Sequence, residues 1–334
     1  MLGGGRSSML AAGRLAVRAV FSAGAVDFAS ATCTETPSSC QGARHFTTTA
    51  CKEQATVKVQ HETQSEVPTP LAGVHASQCG FAKTMKGGPS KVLEQGIYGE
   101  DACFVSTHKN TCVVGVADGV GGWRKYGIDP SKFSSKLMRE CEKVVEKGEF
   151  EPSEPKKILD RAFIAMSDPP RPIGSSTACI LIVHQHTLYS ANLGDSGFIV
   201  VRGGKVLARS TEQVHYFNAP FQLSLLPDGY EGAFGDTPDK AEEATIELQK
   251  GDIIVLATDG LWDNVPEQTV IEQLRLLSGP AEISKVCNSL ALTARRLAFD
   301  SRTQSPFSKK ALAQGYNYPG GKPDDITLVL LLIV

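Results

Sequence analysis

Beyond residue 76 the apolar positions follow two periods. Short runs rich in β-branched residues at 101–106, 111–117, 176–183, 187–192, 197–201, 204–209, 244–249 and 252–258 predict strands. Phe133, Leu137, Cys141, Val144 and Val145 recur at helical spacing. They predict a helix capped by Asp129, with Pro130 in its first turn and Gly148 at its end. Ile158, Leu159, Ala162, Phe163 and Met166 predict a second helix, opened by Ser153 and Pro155. Further helices are expected near 267–277 and 281–298, then a loop, then a last strand over 326–334.

The order is strands, two helices, a run of strands, two helices and one strand. Alternation of strand and helix is absent, which argues against a parallel doubly wound sheet. The expectation is an α+β protein, a β-sandwich with helix pairs packed outside. The last strand, with its Leu-Val-Leu-Leu-Leu-Ile run, must return to the core because it is too apolar to stay exposed. Residues 211–242 are rich in Gly, Pro and Asp and lack a clear period. Irregular stretches of that length are often functional.

Before residue 76 the pattern changes. Arg6, Arg14 and Arg18 precede the first acid, Asp27, and Ser, Ala and Gly fill the gaps. Met9-Leu10, Leu15-Ala16-Val17 and Val20-Phe21 place apolar groups on one face of a helix. This composition predicts a mitochondrial presequence over 1–53, with the matrix as destination; the alternative is a tail with a chance charge bias. Arg44-His45-Phe46-Thr47 resembles a processing site, which puts the mature start near Gln54. Residues 54–75 are polar and read as a linker, and 76–334 as the folded domain.

Composition narrows the function classes. The chain has 334 residues and a formal net charge of -2, which gives no footprint for nucleic acid. Its nine cysteines form no C-x-x-C pair, so neither a zinc site nor a disulfide framework is expected. No apolar run is long enough to span a membrane.

The chemistry lies in acids at strand ends. Val113-Val114-Gly115-Val116-Ala117 delivers Asp118 into a loop containing Gly119, Gly121 and Gly122. A carboxylate at the end of a buried strand needs a cation or strong donors. Gly119 lets the backbone come close, and its carbonyl offers a second oxygen. The pattern recurs at Val255-Leu256-Ala257-Thr258-Asp259-Gly260, with Asp263 four residues on. Asp324-Asp325 opens the last strand and Glu100-Asp101 opens another. Such hard oxygen ligands suit Mg²⁺ or Mn²⁺.

The ordered set of Glu100-Asp101, Asp118-Gly119-Val120-Gly121-Gly122, Gly174-Ser175-Ser176-Thr177-Ala178, Asn192-Leu193-Gly194-Asp195-Ser196, Asp259-Gly260-Leu261-Trp262-Asp263 and Asp324-Asp325-Ile326-Thr327 resembles the metal-dependent type 2C Ser/Thr protein phosphatases, the PPM family. Val120, Trp123 and the segment from His215 to Leu223 are most similar to its mitochondrial branch. The resemblance implies an αββα four-layer sandwich, two Mn²⁺ or Mg²⁺ ions, and hydrolysis of phosphoserine or phosphothreonine in protein substrates by a metal-bound water. It also implies residue roles. Asp118 would bridge both ions, Gly119 (by its carbonyl) and Glu100 (through water) would serve one, and Asp259 and Asp324 the other. Asp195 and Asp263 match positions that bind a third, weaker ion in some members. Independently of the resemblance, the irregular composition of 211–242 predicts a flap beside the site that selects substrate; the alternative is a purely structural loop. The protein would act as a monomer.

Two departures stand out. Family members often carry a His where this chain has Val120, and a phosphate-binding Arg where it has Gly96. A missing general acid costs on the order of 10²–10⁴ in rate unless replaced. His215 is the candidate substitute acid, and Arg124 or Lys125 the candidate phosphate binder; the alternatives are a structural loop histidine and a solvated basic pair. Two other functions compete with a protein phosphatase: an inactive regulatory module on the same fold, and a hydrolase of small phosphoesters.

Overall fold

The structure is a computed structural model, and it describes residues 73–84, 96–227 and 235–334. The expected presequence, most of the linker and residues 228–234 of the flap lie outside these. Fifteen strands occur among the described residues. They are β1 Val74–Phe81, β2 Ile97–Tyr98, β3 Asp101–His108, β4 Thr111–Asp118, β5 Gly174–Ser176, β6 Ala178–His184, β7 Thr187–Leu193, β8 Gly197–Arg202, β9 Lys205–Arg209, β10 Val214–Tyr216, β11 Ala219–Pro220, β12 Leu223–Leu225, β13 Glu242–Glu247, β14 Ile253–Ala257 and β15 Ile326–Ile333. The α-helices are α1 Ser131–Glu146, α2 Pro155–Ser167, α3 Asp259–Trp262, α4 Glu267–Leu274, α5 Ile283–Ala298 and α6 Pro306–Ala313.

Two antiparallel sheets carry the fold. One runs β13-β7-β6-β4-β3-β2 and the other β1-β15-β14-β8-β9. The period of two along β4 and β15 explains why both read as continuous apolar runs. On β4, Val113 and Ala117 pack under α1 and α2, whereas Val114 and Val116 face the second sheet. On β15, Ile326, Leu328, Leu330 and Leu332 pack under α4 and α5, and Val329, Leu331 and Ile333 face back. A strand buried on both faces has no polar side to show. The layers are therefore helices, sheet, sheet, helices, as the sequence predicts.

Several elements differ from expectation. The sheet begins at Val74, which pairs with Ile333, two residues before the expected start of the domain at Ala76. β1 was missed because Ser77 and Gln78 interrupt its apolar pattern on an edge strand. α6 stands where a loop was expected; Ser305 caps it, its hydroxyl accepting from the Ser308 N–H at 3.0 Å. Pro130, expected in the first turn, is the N-cap residue, and Asp129 stands one position ahead of it, accepting from the N–H and hydroxyl of Ser131. Residues 214–225 contain three short strands and not a wholly irregular loop.

The register places the acids. Asp101 pairs with Asp118, Ala257 with both Leu328 and Gly197, and Ala178 with Leu193. These pairings bring the C-terminal ends of β4, β7 and β14 to the same end of the sandwich as the starts of β3, β8 and β15.

Candidate metal centre

Asp118 ends β4, Asp259 opens α3, and Asp195 sits in the turn from β7 to β8. Each offers a carboxylate oxygen, and the three atoms lie within 4.8 Å of one another. Asp195 Oδ1 is buried without a hydrogen-bond partner. Three converging carboxylates, one with an orphaned oxygen, fit a hard divalent cation.

The local backbone is built for close approach. The Asp118 N–H donates to Thr177 Oγ1 at 3.0 Å, and the Thr177 N–H returns a bond to the Asp118 carbonyl at 2.9 Å. The Gly119 N–H donates to the Glu100 carbonyl at 3.1 Å. A Cβ at Gly119 would stand 2.6 Å from that carbonyl oxygen and 2.9 Å from the carbonyl of Pro130, so only glycine fits. Trp123 closes the loop below, its indole N–H donating to Ser175 Oγ at 2.7 Å.

The remaining acids sit among cations. Glu100 Oε1 accepts from Arg124 Nε at 2.5 Å, and Glu100 Oε2 lies 3.5 Å from Lys83 Nζ. Lys83 Nζ also reaches Asp324 Oδ1 at 3.4 Å. Lys322 Nζ contacts Asp259 Oδ2, and lies 2.9 Å from Asp263 Oδ2 and 3.4 Å from Asp324 Oδ2. Lys310 Nζ is 3.7 Å from Asp263 Oδ1 and 2.6 Å from Glu212. Sequence reasoning missed all three lysines, for the acids stood in repeated motifs and the lysines in none. Lys322, two residues before Asp324, carried the nearest thing to a signal.

Charge crowding shows in the proton affinities. Burial pushes the carboxyls of Asp118 and Asp195 well above the usual carboxylate range, and Asp259 adds to both shifts. Burial and the neighbouring acids lift Asp259 itself to about 6, against the pull of Lys322. Burial also raises Glu100, while Lys83 and Arg124 oppose it. Asp324 goes the other way: burial would raise it, but Lys322 and Lys83 outweigh burial and hold it below its ordinary value. Acids that resist ionisation alone gain most from a bound cation.

His215 lies to one side. Its Nε2 is 2.9 Å from Asp236 Oδ2, and its ring stacks on Phe221 at 4.2 Å. It lines a cavity of about 460 Å³ that Asp195 and Asp263 also line.

The model of the stage II sporulation protein E family matches residues 109–332. Over 268 residues the chain is 48% identical to the protein phosphatase PTC7 homolog of Homo sapiens, covering 78% of this chain and 87% of that protein. The chain belongs to the PPM family of type 2C protein phosphatases. The phosphatase of Danio rerio with the same name is 48% identical over 261 residues, covering 76% of this chain and 87% of that one. Among solved structures, the photosystem II phosphatase PBCP matches with a TM-score of 0.67 at 29% identity, covering 78% of this chain and 99% of that one. The catalytic domain of the phosphatase PstP, solved with two manganese ions, shares the fold with a TM-score of 0.51 at 15% identity, covering 80% of this chain and 100% of that one. This PPM phosphatase therefore carries its acids on the fold of its family. Among its described residues no helix is long and apolar enough to cross a membrane.

Proposed function

We propose that this phosphatase hydrolyses phosphoserine and phosphothreonine in proteins with two Mn²⁺ or Mg²⁺ ions held at the strand ends. The observation that carries this reading is the convergence of Asp118, Asp195 and Asp259 within 4.8 Å. Asp118 would be the shared ligand, with the Gly119 carbonyl and Glu100 holding one ion and Asp259 and Asp324 the other. Divalent ions bound there supply positive charge to the phosphoryl oxygens and lower the pKa of the attacking water. Lys83 and Arg124, which flank Glu100, direct positive charge to the same end of the site and take the part of the missing family arginine. His215 is tied to Asp236 and Phe221, which favours a structural part for it over proton transfer. The complete set of acids favours an active enzyme over a regulatory module.

Turnover of a phosphopeptide by the full chain tests this. Activity should require Mn²⁺ or Mg²⁺ and vanish with a chelator. Metal-independent turnover, or turnover of small phosphoesters alone, would refute the reading.

The arginines at 6, 14 and 18 ahead of the first acid further support import into the mitochondrial matrix. Residues 1–53 fused to a reporter should carry it into mitochondria, and the mature N-terminus should lie near Gln54. A cytosolic reporter, or a mature protein keeping Arg6, would refute this.

A further inference from the structure

Lys322 is a long, flexible side chain that the fold has fixed in advance. Its main chain is clamped by Asn264, whose Oδ1 accepts the Lys322 N–H at 2.8 Å and whose Nδ2 donates to the Lys322 carbonyl at 2.9 Å. Asn264 is itself fully buried, and its Nδ2 also donates to the Gly260 carbonyl at 3.0 Å. Pro323 follows and narrows the backbone further. The side chain is 12% exposed, and its Nζ lies 5.2 Å from the centre of the Phe307 ring. A free lysine loses much rotamer entropy when its head is localised. Here the clamp, the ring and the acids share that ordering. Such a support is more than a chance surface ion pair would have.

The ammonium sits among Asp259, Asp263 and Asp324, with the contacts given above. We propose that Lys322 is a built-in third cation of the centre, a positioning residue whose ammonium gathers these three carboxylates and takes the place of a divalent ion at Asp263. The proposal rests on the two-ion reading. Charge supports it. Glu100, Asp118, Asp195, Asp259, Asp263 and Asp324 carry six negative charges when ionised. Two dications would supply four positive charges, which leaves carboxylate charge for ammonium groups to meet: Lys322 inside the cluster and Lys83 beside Glu100 and Asp324, with Arg124 on Glu100 and Lys310 beside Asp263 at the rim. A further dication at Asp263 would meet an ammonium already 2.9 Å from that carboxylate, and would have to displace it. Lys310, 3.7 Å from the other oxygen of Asp263, adds to the barrier. A tethered ammonium also differs from an exchangeable ion: it is present at every metal concentration, so the acids stay gathered before the dications arrive.

The test is calorimetric titration of Mn²⁺ into the chelator-stripped full chain, with Lys322→Met, Lys322→Arg, Asp263→Asn and the Lys322→Met/Asp263→Asn double variant. The wild type should bind two ions and Lys322→Met three, because the emptied place accepts a dication. The double variant should return to two. Lys322→Arg, which keeps a cation, should stay at two. A Lys322→Met protein that still binds two ions overturns the proposal and leaves the two-ion reading intact. A wild type that binds no Mn²⁺ sinks both. Should Lys322→Met fail to fold, Asp263→Asn alone decides. Two ions in both wild type and Asp263→Asn support the tethered cation, and a weak third ion lost with Asp263 overturns it.

Discussion

The carboxylate of Asp325 accepts the backbone N–H of Glu100 at 2.8 Å through Oδ2, while its Oδ1 accepts the Lys83 N–H at 2.6 Å. Adjacent aspartates thus do different work. Asp324 faces the lysines and the acid cluster, and Asp325 turns back to hold the chain that presents Glu100. Gly99, with a φ of +79°, lets this carboxylate come in close; a Cβ there would run into it. Asp325→Ala should leave two N–H groups unpaired, at a cost on the order of 1–3 kcal/mol each. Chemical denaturation should show that loss, and calorimetry should show weaker Mn²⁺ binding as Glu100 drifts. Asp325→Asn keeps one acceptor oxygen and should fall between. Wild-type stability and affinity in Asp325→Ala would refute the positioning role.

Asp118→Asn should abolish most activity and leave the fold intact. The substitution keeps size and removes the charge proposed to be shared by two cations. A loss of three decades in turnover corresponds to about 4 kcal/mol in the barrier. Asp259→Asn and Asp324→Asn should behave alike. Circular dichroism must match the wild type in each case, and unchanged turnover in Asp118→Asn would rule out its bridging role.

Metal removal should invert the pH dependence of stability. Asp259 is lifted from 3.8 to about 6 in the folded, metal-free chain, so the folded state holds a proton across that window that the unfolded state has lost. Stability from this group is therefore present at low pH and falls as pH rises from 3.8 to about 6. Asp118 and Asp195 shift in the same direction. Asp324 is depressed, so its stabilisation is lost only as pH falls below its ordinary value of 3.8, outside this window. The chelated protein should therefore melt higher at about pH 5.5 than at about pH 7.5, and saturating Mn²⁺ should reverse that order. A chelated protein that melts higher at the upper pH would count against the crowded-acid account.

How far the sequence reveals this arrangement depends on how each residue is held. Asp118, Asp259 and Asp324 were legible because each follows or opens an apolar strand, and a strand end is a local pattern. The two layers of sheet were legible in the same way, from runs such as 326–333 that must be buried on both faces. Lys83 and Lys322 were not, because nothing near them in sequence tells where a long side chain points. Their partners lie on distant strands; Lys83 meets Asp324 at a separation of 241 residues. β1 was hidden for a related reason. Its Val74 to Phe81 register is supplied by β15, at the other end of the chain.

The cavity beside the acids should set which phosphoproteins are accepted. Asp195 and Asp263 line it, so a peptide whose phosphate reaches the acids can lay a neighbouring side chain into it. Its apolar walls come from two places in the chain. Phe217 lies 5.3 Å from the Phe307 ring and 5.2 Å from that of Tyr316, so α6 and the segment after β10 are joined by aromatic packing. Tyr216 lines the same cavity and is 47% exposed, which leaves contact area for a partner. Burying an aromatic face against a ligand is worth on the order of 1–3 kcal/mol. Tyr216→Ala should therefore lower kcat/KM on a phosphoprotein by roughly tenfold, chiefly through KM. A small aryl phosphate reaches the acids without filling the cavity, and its turnover should fall much less. Equal losses on the two substrates would mean that Tyr216 supports the acid centre itself, and the cavity would lose its claim on specificity.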